Sequence, residues 1–119
     1  MAMIHTKRAY DPPEPNDGTR VLVDRIWPRG VKKADLQIDR WRKDVAPSRE
    51  LRQWFGHDPD KWDEFQRRYH VGLDEHPKSW QPLVELAREG NLTLVYGARD
   101  RAHNNAIALK AYLDAQLGA

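Results

Sequence analysis

The sequence predicts an α/β fold: a single compact domain, residues 1–119, with a small, mainly parallel sheet covered by helices and a helix-rich C-terminal half. Three observations carry this. Two β-rich apolar runs, 20–27 (RVLVDRIW) and 92–96 (LTLVY), read as strands. Between them Trp62, Phe65, Tyr69 and Leu73 recur at i, i+3, i+7 and i+11, the stripe of an amphipathic helix. The chain of 119 residues is 39% hydrophobic and 32% charged, enough apolar material for one core and too little length for two domains.

The elements follow in order. Ile4 to Tyr10 reads as a short strand at a sheet edge. Residues 11–18 (DPPEPNDG) form a turn segment, with three prolines and a final Asp-Gly. In the next strand Val21, Leu22, Val23 and Ile26 are apolar on both faces, and Pro28-Arg29-Gly30 ends it. Leu36 to Val45 is ambiguous between helix and strand; its end at Ala46-Pro47 favours an extended segment. Ser48 is an N-cap for a short helix through Trp54 and Phe55, closed by Gly56. Asp58-Pro59 opens the Trp62–Leu73 helix. His76-Pro77 breaks it, and a further helix buries Trp80, Leu83, Val84 and Ala87, with Pro82 placed in its first turn. After the strand Leu92–Tyr96 and a tight loop, Asp100 is a plausible N-cap for the last helix, whose inward stripe is Ala102, Ala106, Leu109, Leu113 and Leu117.

Composition excludes several function classes. With no cysteine there is no disulfide scaffold, thiolate metal site, iron–sulfur cluster or cysteine nucleophile. No apolar run approaches the ~20 residues of a membrane helix. The segment MAMIHTKRAY lacks an apolar signal core, so the expected location is cytoplasmic. His5, His57, His70, His76 and His103 show no metal-ligand spacing, and neither a metal nor a cofactor is expected. Phosphate-loop, dinucleotide and Gly-x-Ser-x-Gly patterns are missing. Trp41, Trp54, Trp62 and Trp80 sit at core-like spacing rather than as a base-stacking platform.

Ligands of open α/β sheets bind beyond the carboxyl ends of the strands. Two loops leave such ends here: Trp27-Pro-Arg-Gly30, followed by Lys32 and Lys33, and residues 97–105 (GARDRAHNN), which run into a helix N-terminus. If the two strands are neighbours, both loops face one crevice. Free N–H groups and the helix dipole favour an anion there. Arg25, Arg29 and Arg99 are candidate ligands for a phosphate or carboxylate, with Trp27, Asp100 and Asn104 as further binding candidates. His103, placed in the first helical turn, and Asp24 are the candidate proton-transfer groups. Each has a plainer reading: Pro-Arg-Gly as a rigid turn, Asp100 and His103 as capping residues, Asp24 with Arg25 as a satisfied buried pair, and Trp27 as core.

The stretches 7–12 (KRAYDP) and 17–33 (DGTRVLVDRIWPRGVKK) closely resemble the YeaO-like bacterial proteins. So do Trp41, Lys43, Ala46-Pro47-Ser48, Leu51-Arg52, Phe55, Phe65, Tyr69, the strand 92–96, Ala98-Arg-Asp100 and His103-Asn-Asn-Ala106. The resemblance spans nearly the whole chain. It implies an α/β fold and carries Asp24, Arg25, Trp27, Arg29, Asp100, His103 and Asn104 as site candidates, but it brings no established activity. More distant members of the wider group have a Cys-His-Arg motif at the start of the last helix, where Asn104-Asn105-Ala106 stands here, so thiol chemistry is not implied. A porphyrin-methyltransferase label in that group has no methyl-donor signature to support it in this chain.

The functional expectation is a site for a small anionic ligand beside the N-terminus of the last helix. One alternative is a nucleic-acid-binding module. Its basic segment 20–33 holds Arg20, Arg25, Arg29, Lys32 and Lys33 against Asp24 alone. The other is a protein-interaction domain without a ligand.

Overall fold

The structure, a computed structural model, describes residues 3–118. Four parallel strands, β1 (Ile4–Arg8), β2 (Thr19–Leu22), β3 (Arg40–Trp41) and β4 (Leu92–Tyr96), form one sheet in the order β1-β4-β2-β3. The expected edge position of β1 and the adjacency of β2 and β4 are both found, with Val21 opposite Leu94 and Leu22 opposite Val95. The helices are α1 (Lys33–Leu36), α2 (Arg49–Phe55), α3 (Trp62–Glu75), α4 (Pro77–Glu89) and α5 (Asn105–Leu117), with single 3-10 turns at Pro15–Asp17, Lys43–Val45 and Pro59–Lys61.

The pleat divides the apolar runs between two cores. Val21, Val23, Leu92, Leu94 and Tyr96 meet the inward residues of α3, α4 and α5, such as Phe65, Leu83 and Leu109. On the other face Leu22 and Val95 pack with Ala9 and Leu36, roofed by Trp27, Val31, Ile38 and Trp41. This explains why both long apolar runs lack alternation.

Several boundaries differ from the sequence reading. The second strand ends at Leu22 rather than Trp27. Val23 N–H still donates to the Val95 carbonyl at 3.1 Å, but the chain then bends at Asp24, and Ile26, expected in the core, is 68% exposed. The ambiguous Leu36–Val45 segment is extended only at Arg40–Trp41; α1 precedes it and a 3-10 turn follows. Arg20 enforces this. Its guanidinium donates to the Leu36 and Gln37 carbonyls at 2.7 and 3.2 Å and its backbone N–H to Asp39 at 2.8 Å, which stops α1 and lays β3 beside β2.

The caps of α2 match expectation: Ser48 accepts from Leu51 N–H at 3.1 Å, and Gly56 adopts φ 53°. In α4, Pro77 occupies the first turn, and Pro82 lies one turn deeper than expected. Its missing N–H orphans the Lys78 carbonyl, to which Arg42 Nη2 donates at 3.4 Å while also reaching Ser79 at 3.2 Å. The last helix begins after Asn104, not after Asp100; Asn104 is its N-cap and accepts from Ile107 N–H at 2.9 Å. His103 therefore precedes the helix instead of lying in its first turn, and Ala102 is exposed in the loop instead of belonging to the inward stripe. No helix among the described residues is long and apolar enough to cross a membrane.

Candidate functional site

A cleft of about 280 Å³ opens where the ends of β2 and β4 meet the start of α5. Asp24, Arg25 and Ile26 form one side, Ala46 and Pro47 another, and Ala98 with His103, Asn104 and Asn105 a third. Arg52 and Phe55 of α2, His57 after it, and Phe65 of α3 complete the lining.

Asp24 ties these parts together. Gly97 N–H donates to its Oδ2 at 2.8 Å and Asn105 Nδ2 to its Oδ1 at 3.0 Å. The same Asn105 amide reaches the Val23 carbonyl at 3.1 Å. A β-carbon on residue 97 would stand 3.2 Å from Asp24 Oδ2, so glycine permits this close approach. Burial pushes the Asp24 carboxyl above its ordinary range; the Asn105 and Gly97 hydrogen bonds and the nearby Arg52 charge oppose this without cancelling it. Trp41 Nε1 donates to the Asp24 backbone carbonyl at 2.7 Å, fixing the bend from the other side of the sheet.

The loop after β4 is equally constrained. Arg8 Nε donates to the Ala98 carbonyl at 2.9 Å, and Arg101 grips Asp11 through two hydrogen bonds. Asp100 accepts from the backbone N–H groups of Ala102 and His103 at 2.8 and 2.9 Å and lies 2.9 Å from His103 Nδ1. These hydrogen bonds hold its carboxyl below the usual range. The His103 ring stands edge-on to Trp62, with centroids 5.3 Å apart. Asn104 is 3% exposed, and its amide also donates to the Asp100 carbonyl at 2.9 Å.

Of the sequence candidates, Asp24, Arg25, His103 and Asn104 line the cleft, and Asp100 meets it through His103. Trp27, Arg29 and Arg99 are not in the lining. Trp27 packs on Trp41 at 5.4 Å on the opposite face of the sheet and donates to the Val31 carbonyl. Arg29 is exposed, its carbonyl accepting from the Tyr10 hydroxyl, and Arg99 is exposed as well. The basic segment does not form one surface: Arg20 is 4% exposed and bonded to Asp17 at 2.7 Å. Asp24 and Arg25 are not paired with each other; Arg25 Nη2 reaches the Pro47 carbonyl at 3.5 Å. Among the described residues no group of three or more His, Cys, Asp or Glu side chains could hold a metal.

Arg52, Phe55, His57 and Phe65 join the lining without having been singled out as site residues. Leu51-Arg52, Phe55 and Phe65 stood among the residues carrying the family resemblance, which was the available signal. Nothing in the periodicity of α2 told that its Arg52 would meet the end of β2.

The chain is 42% identical over 110 residues to the uncharacterized protein YeaO of Escherichia coli, covering 92% of this chain and 96% of that protein. It is 40% identical over 111 residues to the uncharacterized protein Rv3073c of Mycobacterium tuberculosis, covering 93% of each. No solved structure matches it significantly. A family model described as the inactive DUF488-N3 subclade matches residues 3–119. Since that match takes in both strand ends, α2 and the whole of α5, the chain belongs to the inactive DUF488-N3 subclade.

Proposed function

We propose that the chain binds a small anionic molecule, phosphate- or carboxylate-bearing, in the cleft between the β2 and β4 ends and α5, and that it binds without turnover. The observation that carries this is Arg52. It lines the cleft, and its Nε is buried with no hydrogen-bond partner among the described residues. An oxyanion in the cleft pairs with the guanidinium charge of Arg52 through charge-assisted hydrogen bonds. Arg42 Nε is also unpartnered, but Arg42 is outside the cleft, and its Nη2 is engaged by Asp44, Lys78 and Ser79.

Further support comes from the company Arg52 keeps. Arg25, His57 and His103 line the same cleft, and the α5 N-terminus adds its partial positive charge. With Nδ1 donating to the Asp100 carboxylate, His103 presents Nε2, an acceptor in the neutral ring and a donor to an anion only in the protonated one. Asp24 is occupied by Gly97 and Asn105, a wall-forming role. Binding without turnover fits the family's description as an inactive subclade.

Isothermal titration with inorganic phosphate and with acetate tests this. The expected result is binding by the wild type and by Arg29→Ala, weakened about 10- to 100-fold in Arg52→Met, the loss of one charge-assisted hydrogen bond. Binding by neither anion, or binding indifferent to Arg52, removes the reading.

A further inference from the structure

Resting on the reading above, we infer that the ligand is an amphiphilic anion: an anionic head at Arg52 joined to an apolar body that covers Ile26. Ile26 is 68% exposed, in the bend between Asp24 and Trp27. Singly exposed apolar side chains are ordinary on protein surfaces. Met3, Tyr10 and Val71 are of that kind, lying outside the cleft. Ile26 differs because it lines the cleft that contains Arg52, together with Pro47, Ala98 and the rings of Phe55 and Phe65.

The bend that exposes Ile26 is held in place rather than loose. Trp41 Nε1 binds the Asp24 carbonyl, and Gly97 and Asn105 bind the Asp24 carboxyl. The side chain is thus presented on a fixed backbone, with little ordering left for a ligand to impose. Phe55 and Phe65 are stacked at 4.4 Å and nearly buried, so they form a rigid floor with little free area of their own. Most of the apolar area that a ligand could newly cover therefore belongs to Ile26, with Ala98 beside it in the lining, since Pro47 is buried as well. Inorganic phosphate or acetate satisfies Arg52 and leaves this apolar area wet. A ring or short aliphatic chain on the same head removes it from water, and each buried methylene adds to affinity.

The experiment compares acetate with benzoate and inorganic phosphate with phenyl phosphate by isothermal titration, using wild type and Ile26→Ser. Ile26 is exposed, so the substitution spares the core. The expected result is that each ring-bearing anion binds the wild type about tenfold tighter than its head alone. Ile26→Ser narrows that gap to near unity. Equal affinity of heads and ring-bearing anions in the wild type, or a gap that survives in Ile26→Ser, overturns this inference and leaves the anion site standing. No binding by any of the four overturns both. Self-association of the wild type in sedimentation that Ile26→Ser abolishes, with the affinity gap unaltered, assigns Ile26 to a contact between copies and also overturns it.

Discussion

Asp24 and Asn105 meet at 3.0 Å, joining the bend after β2 to the first residue of α5. Eighty-one positions separate them in the chain, and through this bond the Asn105 amide also holds the Val23 carbonyl. The cleft keeps its shape because these two ends cannot drift apart independently.

Asn105→Ala should therefore destabilise by about 1–3 kcal/mol, since it leaves the Asp24 oxygen and the Val23 carbonyl short of a donor. Asp24→Leu gives a separate signature. The folded Asp24 carboxyl titrates above its unfolded value, so the native state holds the extra proton and ionisation of Asp24 erodes stability as pH rises through that interval. Urea midpoints measured from pH 4 upward should show that decline in the wild type and lose its Asp24 component in Asp24→Leu. Identical pH slopes for the two proteins contradict the assignment.

Asp17 has the opposite sign. Burial raises its carboxyl, but the Glu14 backbone N–H and the side chains of Lys7 and Arg20 outweigh this and hold it below the ordinary value. Its contribution is full above the unfolded carboxylate value and is lost as pH falls through the folded one. Arg20→Met should cost about 1–3 kcal/mol near neutral pH, because it removes one of the two cations that hold Asp17, leaving Lys7, and deprives the Leu36 and Gln37 carbonyls of their donor. The cost should shrink as pH falls through the folded Asp17 value, where the carboxylate that Arg20 holds is lost. Denaturant titration from pH 7 downward through that transition measures both quantities, and an unchanged cost in acid is the contrary result.

Asn104→Ala should lower stability by about 1 kcal/mol from the lost N-cap, with a further loss from the partly buried Asp100 carbonyl. Asn104→Asp restores the acceptor for Ile107 but not the donor to Asp100, and its stability should fall between the two. Asp100→Ala should leave the helix cap intact while releasing His103, so helix content by circular dichroism should change little. A loss of helix in Asp100→Ala would return the capping role to Asp100.

Gly18 has φ 67°, and a β-carbon there would come within 2.1 Å of the Asn91 carbonyl oxygen. Thr19 N–H donates to that same carbonyl at 3.0 Å, the bond that starts β2 beside β4. Gly18→Ala should destabilise by more than the ~1 kcal/mol of an ordinary glycine substitution, because both φ and space oppose it. A melting temperature equal to wild type is the outcome that contradicts this.

The sequence by itself determined what depends on neighbours along the chain. Ser48 and Gly56 delimit α2, the Trp62–Leu73 stripe marks α3, and the unbroken apolar run Leu92–Tyr96 marks a strand covered on both faces. Each is written in residues within a few positions, where turn chemistry and periodicity act. Tertiary structure decided what depends on partners far away. Two residues able to cap, Asp100 and Asn104, compete for α5. Asn104 wins because its amide is buried against the Asp100 carbonyl, while Asp100 is engaged by His103. The strand that apolarity carries to Trp27 ends at Leu22 because Asp24 leaves the sheet to meet Gly97 and Asn105. Arg52 reaches the cleft only when α2 folds against these ends, and Arg29, which looked closer in sequence, does not line it. Local rules set each element's kind; long-range hydrogen bonds, worth making only when burial removes water, set where elements stop and which charges come together.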